Sequence, residues 1–251
     1  MTNRRRADDG GDRVVAIVGA SSGIGRALAL RCGQLGDALV LAARRGDLLG
    51  QLAAEIAAGR EDMPDKTVCL ASDVRESNAG RDIVNAAISR FGKIDIIVYA
   101  AGWNVPKRSI YEATAESWQC IIETNLSGAF GVTSAAVPVM KAQGGGLVIY
   151  LSSSGAKRPD QSGAAYQASK AGMAGLAHAT MEECRADNIR TTVIYPGLTD
   201  TPFVEHRPMP LSEEARRNAL QPDDVVDACT FVMGLPSRAH VPELLLYPAR
   251  S

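Results

Sequence analysis

The chain is 251 residues long, 46% hydrophobic and 22% charged, with a formal net charge of −1. That is enough for one large α/β domain or two small ones, and it gives no electrostatic reason to expect nucleic acid or an anionic membrane as a partner. Five scattered cysteines (Cys32, Cys69, Cys120, Cys184, Cys229) and three scattered histidines (His178, His206, His240) form no C-x-x-C pair, so buried thiols in a reducing compartment are expected, and no metal site.

The opening "MTNRRRADDGGDR" is polar and reads as a disordered tail over residues 1–12. The apolar run behind it is too short for a secretion signal, and no segment approaches the roughly 18 apolar residues of a membrane span. A cytoplasmic location is expected. "RVVAIVG" (13–19) is a β-branched apolar run, and "IGRALALRCGQLG" continues it with helical spacing and a stopping glycine, Gly36. A strand over 38–44 and a helix follow, then a strand over 66–74, a helix near 76–91 and a strand over 93–102. A long helix is expected from about Thr114 to Met140, a strand over 145–154, a helix over about 165–187 and a strand over 189–197. A helix near 222–234 and the strand "ELLLYP" close the chain.

Strands and helices alternate throughout, and the strands are continuous apolar runs, as when both sheet faces are covered. The expected fold class is α/β: a single-domain, doubly wound Rossmann-type parallel sheet of about seven strands with helices on both faces, over residues 13–251. The stretch 198–221, rich in Pro and charge, breaks the rhythm and is expected to form a substrate lid.

After the first strand comes "GASSGIG" (19–25), where Gly19, Gly23 and Gly25 allow a tight turn and bring a pyrophosphate against the N–H groups of a helix start. The end of the second strand reads "AARR", Ala42 to Arg45. An acidic residue there would favour an unphosphorylated ribose; this chain offers none, and Arg44 can clamp a 2′-phosphate, with Arg45 as competing candidate. NADP(H) is therefore expected ahead of NAD(H).

"GASSGIG", "SDV" (72–74), "IDIIVYAAG" (94–102), "ETNLSG" (123–128), "IYLSSSGA" (149–156), "YQASK" (166–170) and "YPGLTDT" (195–201) together resemble the short-chain dehydrogenase/reductase family, from about residue 13 to 250. The resemblance implies an NADP(H)-dependent oxidoreductase acting on a small alcohol, ketone or aldehyde. Its implied catalytic residues are Asn125, Ser153, Tyr166 and Lys170, with Ser152 and Ser154 as lesser alternatives to Ser153. The implied cofactor-binding residues are Gly19, Ser21, Ser22, Gly23, Ile24, Gly25, Arg44, Arg45, Asp73, Val74, Ala101, Gly102, Tyr166, Lys170, Pro196, Gly197, Thr199 and Thr201. A homotetramer, with a dimer next, is implied, through the helices at about 114–140 and 165–187. Ala171, Gly172, Ala174, Gly175 and Ala177 would allow close approach of helices there, or pack on the sheet. The chain departs from the family at Val18, which replaces a threonine, and at Tyr99 and Ala100, which replace two asparagines that brace the sheet and cofactor pocket. Its ending looks like the branch whose members oxidise serine and other 3-hydroxy acids or reduce related small carbonyls. The alternative is a catalytically silent NADP(H)-sensing protein, a type that usually loses the tyrosine or the lysine.

Tyr166 and Lys170 share a helix face. The ammonium, with a positive nicotinamide, is expected to lower the phenol's pKa so that it exchanges protons near neutral pH. Ser153 would hold the same substrate oxygen. In the family the asparagine positions a water that links the lysine to solvent. Trp103, Asn104, Ser154, Gln161, Phe203, His206 and Arg207 are expected to face the substrate, and Arg158 or Arg207 to pair with a substrate carboxylate.

Overall fold

Apolar residues fill the five positions of β1 (Val14–Val18), and all are buried, because alternate side chains enter opposite cores. Val14, Ala16 and Val18 face one helix layer, while Val15 and Ile17 face the other. The structure, a computed structural model, describes residues 13–59 and 66–250; the tail expected over 1–12 lies outside the described residues. β2 (Ala38–Ala43), β3 (Thr67–Ala71), β4 (Ile96–Tyr99), β5 (Gly146–Leu151), β6 (Ile189–Pro196) and β7 (Glu243–Leu246) complete one sheet. All neighbours are parallel, in the order β3-β2-β1-β4-β5-β6-β7.

Helices α1 (Gly23–Gln34), α2 (Gly46–Ala58) and α8 (Pro222–Met233) cover one face through Leu28, Leu49, Leu52 and Val225. Helices α3 (Ala79–Phe91), α5 (Gly128–Ala142) and α6 (Ala164–Glu183) cover the other through Ile83, Val132, Met140 and Met173. The fold is thus a single α/β Rossmann-like domain. The order reverses between β1 and β4, which opens a crevice at the carboxyl ends of the central strands.

Three expectations change in detail. The strands stop short: β4 ends at Tyr99 and β5 at Leu151, because the residues after them leave the ladder. The long helix is interrupted: α4 (Ala115–Ile122) passes through a π-helical turn, Glu123–Ser127, into α5. The excursion 198–221 is folded, with a 3-10 turn (Pro202–His206), the short α7 (Glu213–Asn218) and a bridge between Thr199 and Leu220. The small residues of α6 also divide, since Ala174 and Ala177 are buried in the core while Ala171 and Gly175 face outward.

Candidate active site

The crevice holds a cavity of about 350 Å³. Every residue expected to bind the cofactor lines it, as do Ser153, Tyr166 and Lys170. Gly19 has φ +91°, and a Cβ on it would lie 2.6 Å from the Ala101 nitrogen, so only glycine lets the first turn press against the end of β4. At the start of α1, Ser22 makes no side-chain cap and no acidic residue occupies the first turn. The first N–H groups of that helix are therefore suited to an anion. Arg45 donates from Nη2 to both Ser21 Oγ and Ser22 Oγ, at 2.9 Å each. Arg44 instead lies over the Trp103 ring, 5.5 Å from its centroid.

Tyr166 and Lys170 come from α6, and Ser153 from the end of β5. Lys170 is 4% exposed and donates from Nζ to the Leu151 carbonyl at 2.8 Å. Burial lowers its pKa to about 7. Burial also pushes the Tyr166 phenol up to about 12, outweighing the Ser153 hydroxyl, Arg108 and Arg207, which pull it down. The expected lowering by Lys170 is thus not a property of the protein alone. The ammonium, 5.8 Å from the ring centroid, is itself drawn towards neutrality by the same desolvation.

Ser153 Oγ accepts from the Gly155 N–H at 3.2 Å. Ser152 turns away and donates to the Lys170 carbonyl at 2.9 Å, and Ser154 opens a 3-10 turn. Asn125 lies in the π-helical turn, fully buried. Its Oδ1 accepts from the Trp103 N–H at 2.7 Å, and its Nδ2 donates to the Trp103 carbonyl at 3.1 Å and to Ser169 Oγ at 2.9 Å. Both amide protons are used, so any water at this side chain has only the second lone pair of Oδ1. Ser169 in turn donates to the Tyr166 carbonyl at 2.7 Å, so Asn125 ties the loop after β4 to the helix of the phenol.

Tyr99, where the family has an amide, is buried and donates to the Thr124 carbonyl at 2.6 Å. The phenol thereby satisfies a backbone acceptor in the π-helical turn next to Asn125.

The other expectations divide. Asn104, Ser154, Phe203 and Arg207 line the cavity. His206 packs on Trp103 with ring centroids 4.5 Å apart, and Phe203 sits 5.8 Å from Tyr166. Arg158 lies over the Tyr247 ring, outside the cavity lining. Arg108, Asp160 and Ser162 line it but carried no signal in the sequence, because long-range loop contacts bring them there.

The family profile described as short chain dehydrogenase matches residues 13–210, four-fifths of the chain. The chain belongs to the short chain dehydrogenase family. Among curated members, an uncharacterised oxidoreductase of Staphylococcus epidermidis is 30% identical over 94% of this chain and 97% of its own. Cis-4-hydroxycyclohexanecarboxylate dehydrogenase of Sinomonas cyclohexanicum is 29% identical over 88% of this chain and 89% of its own. Among solved structures, an alcohol dehydrogenase of Thermococcus sibiricus complexed with 5-hydroxy-NADP superposes with a TM-score of 0.85 at 29% identity, covering 96% of this chain and 98% of that one. A 3-ketoacyl-(acyl-carrier-protein) reductase of Brucella melitensis complexed with NADH gives 0.84 at 26% identity, covering 95% and 98%.

As a short chain dehydrogenase the protein is an oxidoreductase, and its family neighbours carry nicotinamide cofactors of both the NADP and NAD kinds. The uncapped start of α1, the glycine turn and the two arginines make a donor set that fits a dinucleotide. Among the described residues no group of three or more His, Cys, Asp or Glu is placed to hold a metal ion, and no helix is long and apolar enough to cross a membrane.

Proposed function

We propose that this short chain dehydrogenase interconverts a small alcohol and its carbonyl compound with NADP(H), Tyr166 acting as general acid and base. The observation that carries the proposal is the convergence of Ser153, Tyr166 and Lys170 on one cavity whose other half is the glycine turn. A bound nicotinamide supplies the acceptor or donor of hydride. In oxidation Tyr166 takes the hydroxyl proton as the C–H bond gives up hydride and the C=O bond forms; in reduction the phenol returns the proton to oxygen. Ser153 donates to the same oxygen and stabilises negative charge developing there. Lys170, with a pKa near neutrality, gains a proton when the phenol is charged and so favours the phenolate. Asn125 holds α6 against the loop after β4 and fixes the position of the phenol.

The NADP preference is supported by the lack of a carboxylate at the end of β2 and by Arg44 and Arg45 lining the cavity. Residues 198–221 form the lid, whose Phe203 and Arg207 face the substrate space. A homotetramer is the proposed assembly. The test is a panel of aldehydes, ketones and alcohols, serine and 3-hydroxy acids included, run in both directions with NAD(H) and NADP(H). Turnover faster with NADP(H) is expected; no hydride transfer with any of them would reject the reading.

A further inference from the structure

Arg108 is 8% exposed, yet it faces no carboxylate within ion-pair distance among the described residues. Its Nε donates to the Gln161 carbonyl at 3.0 Å, and its two Nη groups make no hydrogen bond to the described residues. The side chain lines the same cavity as Tyr166. Arg207, from the lid, lines that cavity too and also makes no ion pair. Arg108 packs against Gly163, just before the helix of Tyr166, and Arg207 ends the turn whose Phe203 ring lies 5.8 Å from the Tyr166 ring, so both stand at the substrate end rather than the nucleotide end. One carboxylate, Asp160, shares the wall, but its Oδ1 already accepts from the Ser162 N–H at 2.8 Å and from the Ser162 hydroxyl. Two cations against one engaged anion leave a net positive wall. Asp160 is a counter-charge to Arg108 but makes no ion pair with it, and a buried guanidinium so incompletely compensated is costly unless a ligand supplies a closer anion.

We infer that the substrate is a hydroxy or oxo acid, its carboxylate received by the Nη groups of Arg108, with Arg207 closing over it from the lid. A planar guanidinium whose Nε is already fixed presents its remaining donors in one plane, the geometry a carboxylate pairs with. The inference rests on the hydride-transfer reading for where the reacting oxygen lies, beside Tyr166 and Ser153.

The test compares levulinate and 3-formylbenzoate, each with its methyl ester, in wild type, Arg108→Met, Arg108→Lys and Arg207→Met. Rates are measured with NADPH, and binding of each acid and ester to the resting protein by calorimetry. In wild type the acids are expected to exceed their esters in kcat/KM by about 10- to 100-fold. Arg108→Met is expected to collapse that acid-to-ester ratio by raising KM for the acid. Arg108→Lys should restore part of it, and Arg207→Met should reduce it several-fold. The Arg207 side chain makes no hydrogen bond to the described residues, its backbone N–H alone donating to the Val204 carbonyl, so its variant reads the charge even if Arg108→Met disturbs the loops. Esters turned over as well as acids, or a parallel loss for both in the Arg108 variants, would overturn the inference while leaving hydride transfer standing. If no carbonyl is reduced, calorimetry decides: acid binding abolished in Arg108→Met supports the acid site without the reaction, and no acid binding in wild type rejects it.

Discussion

Lys170 places an ammonium in a wall that water barely reaches, so its proton is held less tightly than in the unfolded chain. With a folded pKa of about 7 against 10.5 unfolded, the burial penalty is complete below pH 7. Between 7 and 10.5 the unfolded chain binds a proton that the folded one does not, so stability rises with pH across that window. Lys170→Met removes this dependence. Its melting temperature relative to wild type is expected to be most favourable at pH 6 and to lose that advantage by pH 10, the fall from 10.5 to about 7 setting an upper bound of about 5 kcal/mol on the change. A difference that stays constant with pH would mean the lysine is buried at no electrostatic cost. The two arginines after β2 make a second test at this scale. An Arg–phosphate hydrogen bond contributes roughly 1.5–3 kcal/mol, or about 10- to 150-fold in affinity. Arg45 is already bonded to the serines of the glycine turn, whereas Arg44 lies over the Trp103 ring. Arg44→Ala and Arg45→Ala are each expected to weaken NADPH within that range and to change NADH little. Ala43→Asp should turn the preference towards NADH, because it adds a repelled charge. Equal wild-type affinities for the two nucleotides in direct titrations would reject the clamp.

Among the elements, the π-helical turn between α4 and α5 is held by the Tyr99 hydroxyl packed beside Gly128. Tyr99 brings its hydroxyl to the Thr124 carbonyl, and a Cβ on Gly128 would meet that hydroxyl at 2.5 Å and Val74 Cβ at 2.9 Å. Gly128→Ala is therefore expected to cost about 1–3 kcal/mol by overpacking. Tyr99→Phe alone should cost about 1–2 kcal/mol, by leaving a buried carbonyl unpaired. The two losses should not add, since the phenylalanine also removes the atom the new methyl strikes. Denaturant unfolding of both single variants and the double variant measures the coupling, and simple additivity would show that the two side chains do not meet. Nothing in the periodicity of residues 114–140 marks this turn, because a π-bulge keeps the apolar face and only widens one turn of it. The strands end before the apolar runs do for a related reason: "YAAG" and "LSSS" continue an apolar or small-residue run after the strand has ended. Tyr166 and Lys170, by contrast, were legible because four residues on one helix fix their relation locally. Arg108 was not, since its burial comes from Gln161, 53 residues away.

On the scale of the whole molecule, alternation of strand and helix was enough to indicate the sheet, but the surface carries information the pattern did not. Trp118 on α4 and Phe130 on α5 are 44% and 59% exposed, and Phe231 on α8 and Leu245 on β7 are 54% and 47% exposed. Large apolar side chains left exposed on these helices and on the edge strand suit burial between copies of the chain, as in the proposed homotetramer. Light scattering at micromolar concentration is expected to give about four times the 26.5 kDa chain mass, and Phe130→Glu about twice it. A monomeric wild type would contradict the assembly. The proposed reaction depends on Tyr166 moving a proton, and the most direct test is the rate of NADPH oxidation with the best carbonyl of the panel in wild type and Tyr166→Phe, beside an NADPH titration of both. Loss of the hydroxyl is expected to lower kcat by about 10²–10⁴ while NADPH affinity stays within about twofold. A variant that keeps more than about a tenth of wild-type kcat would contradict it.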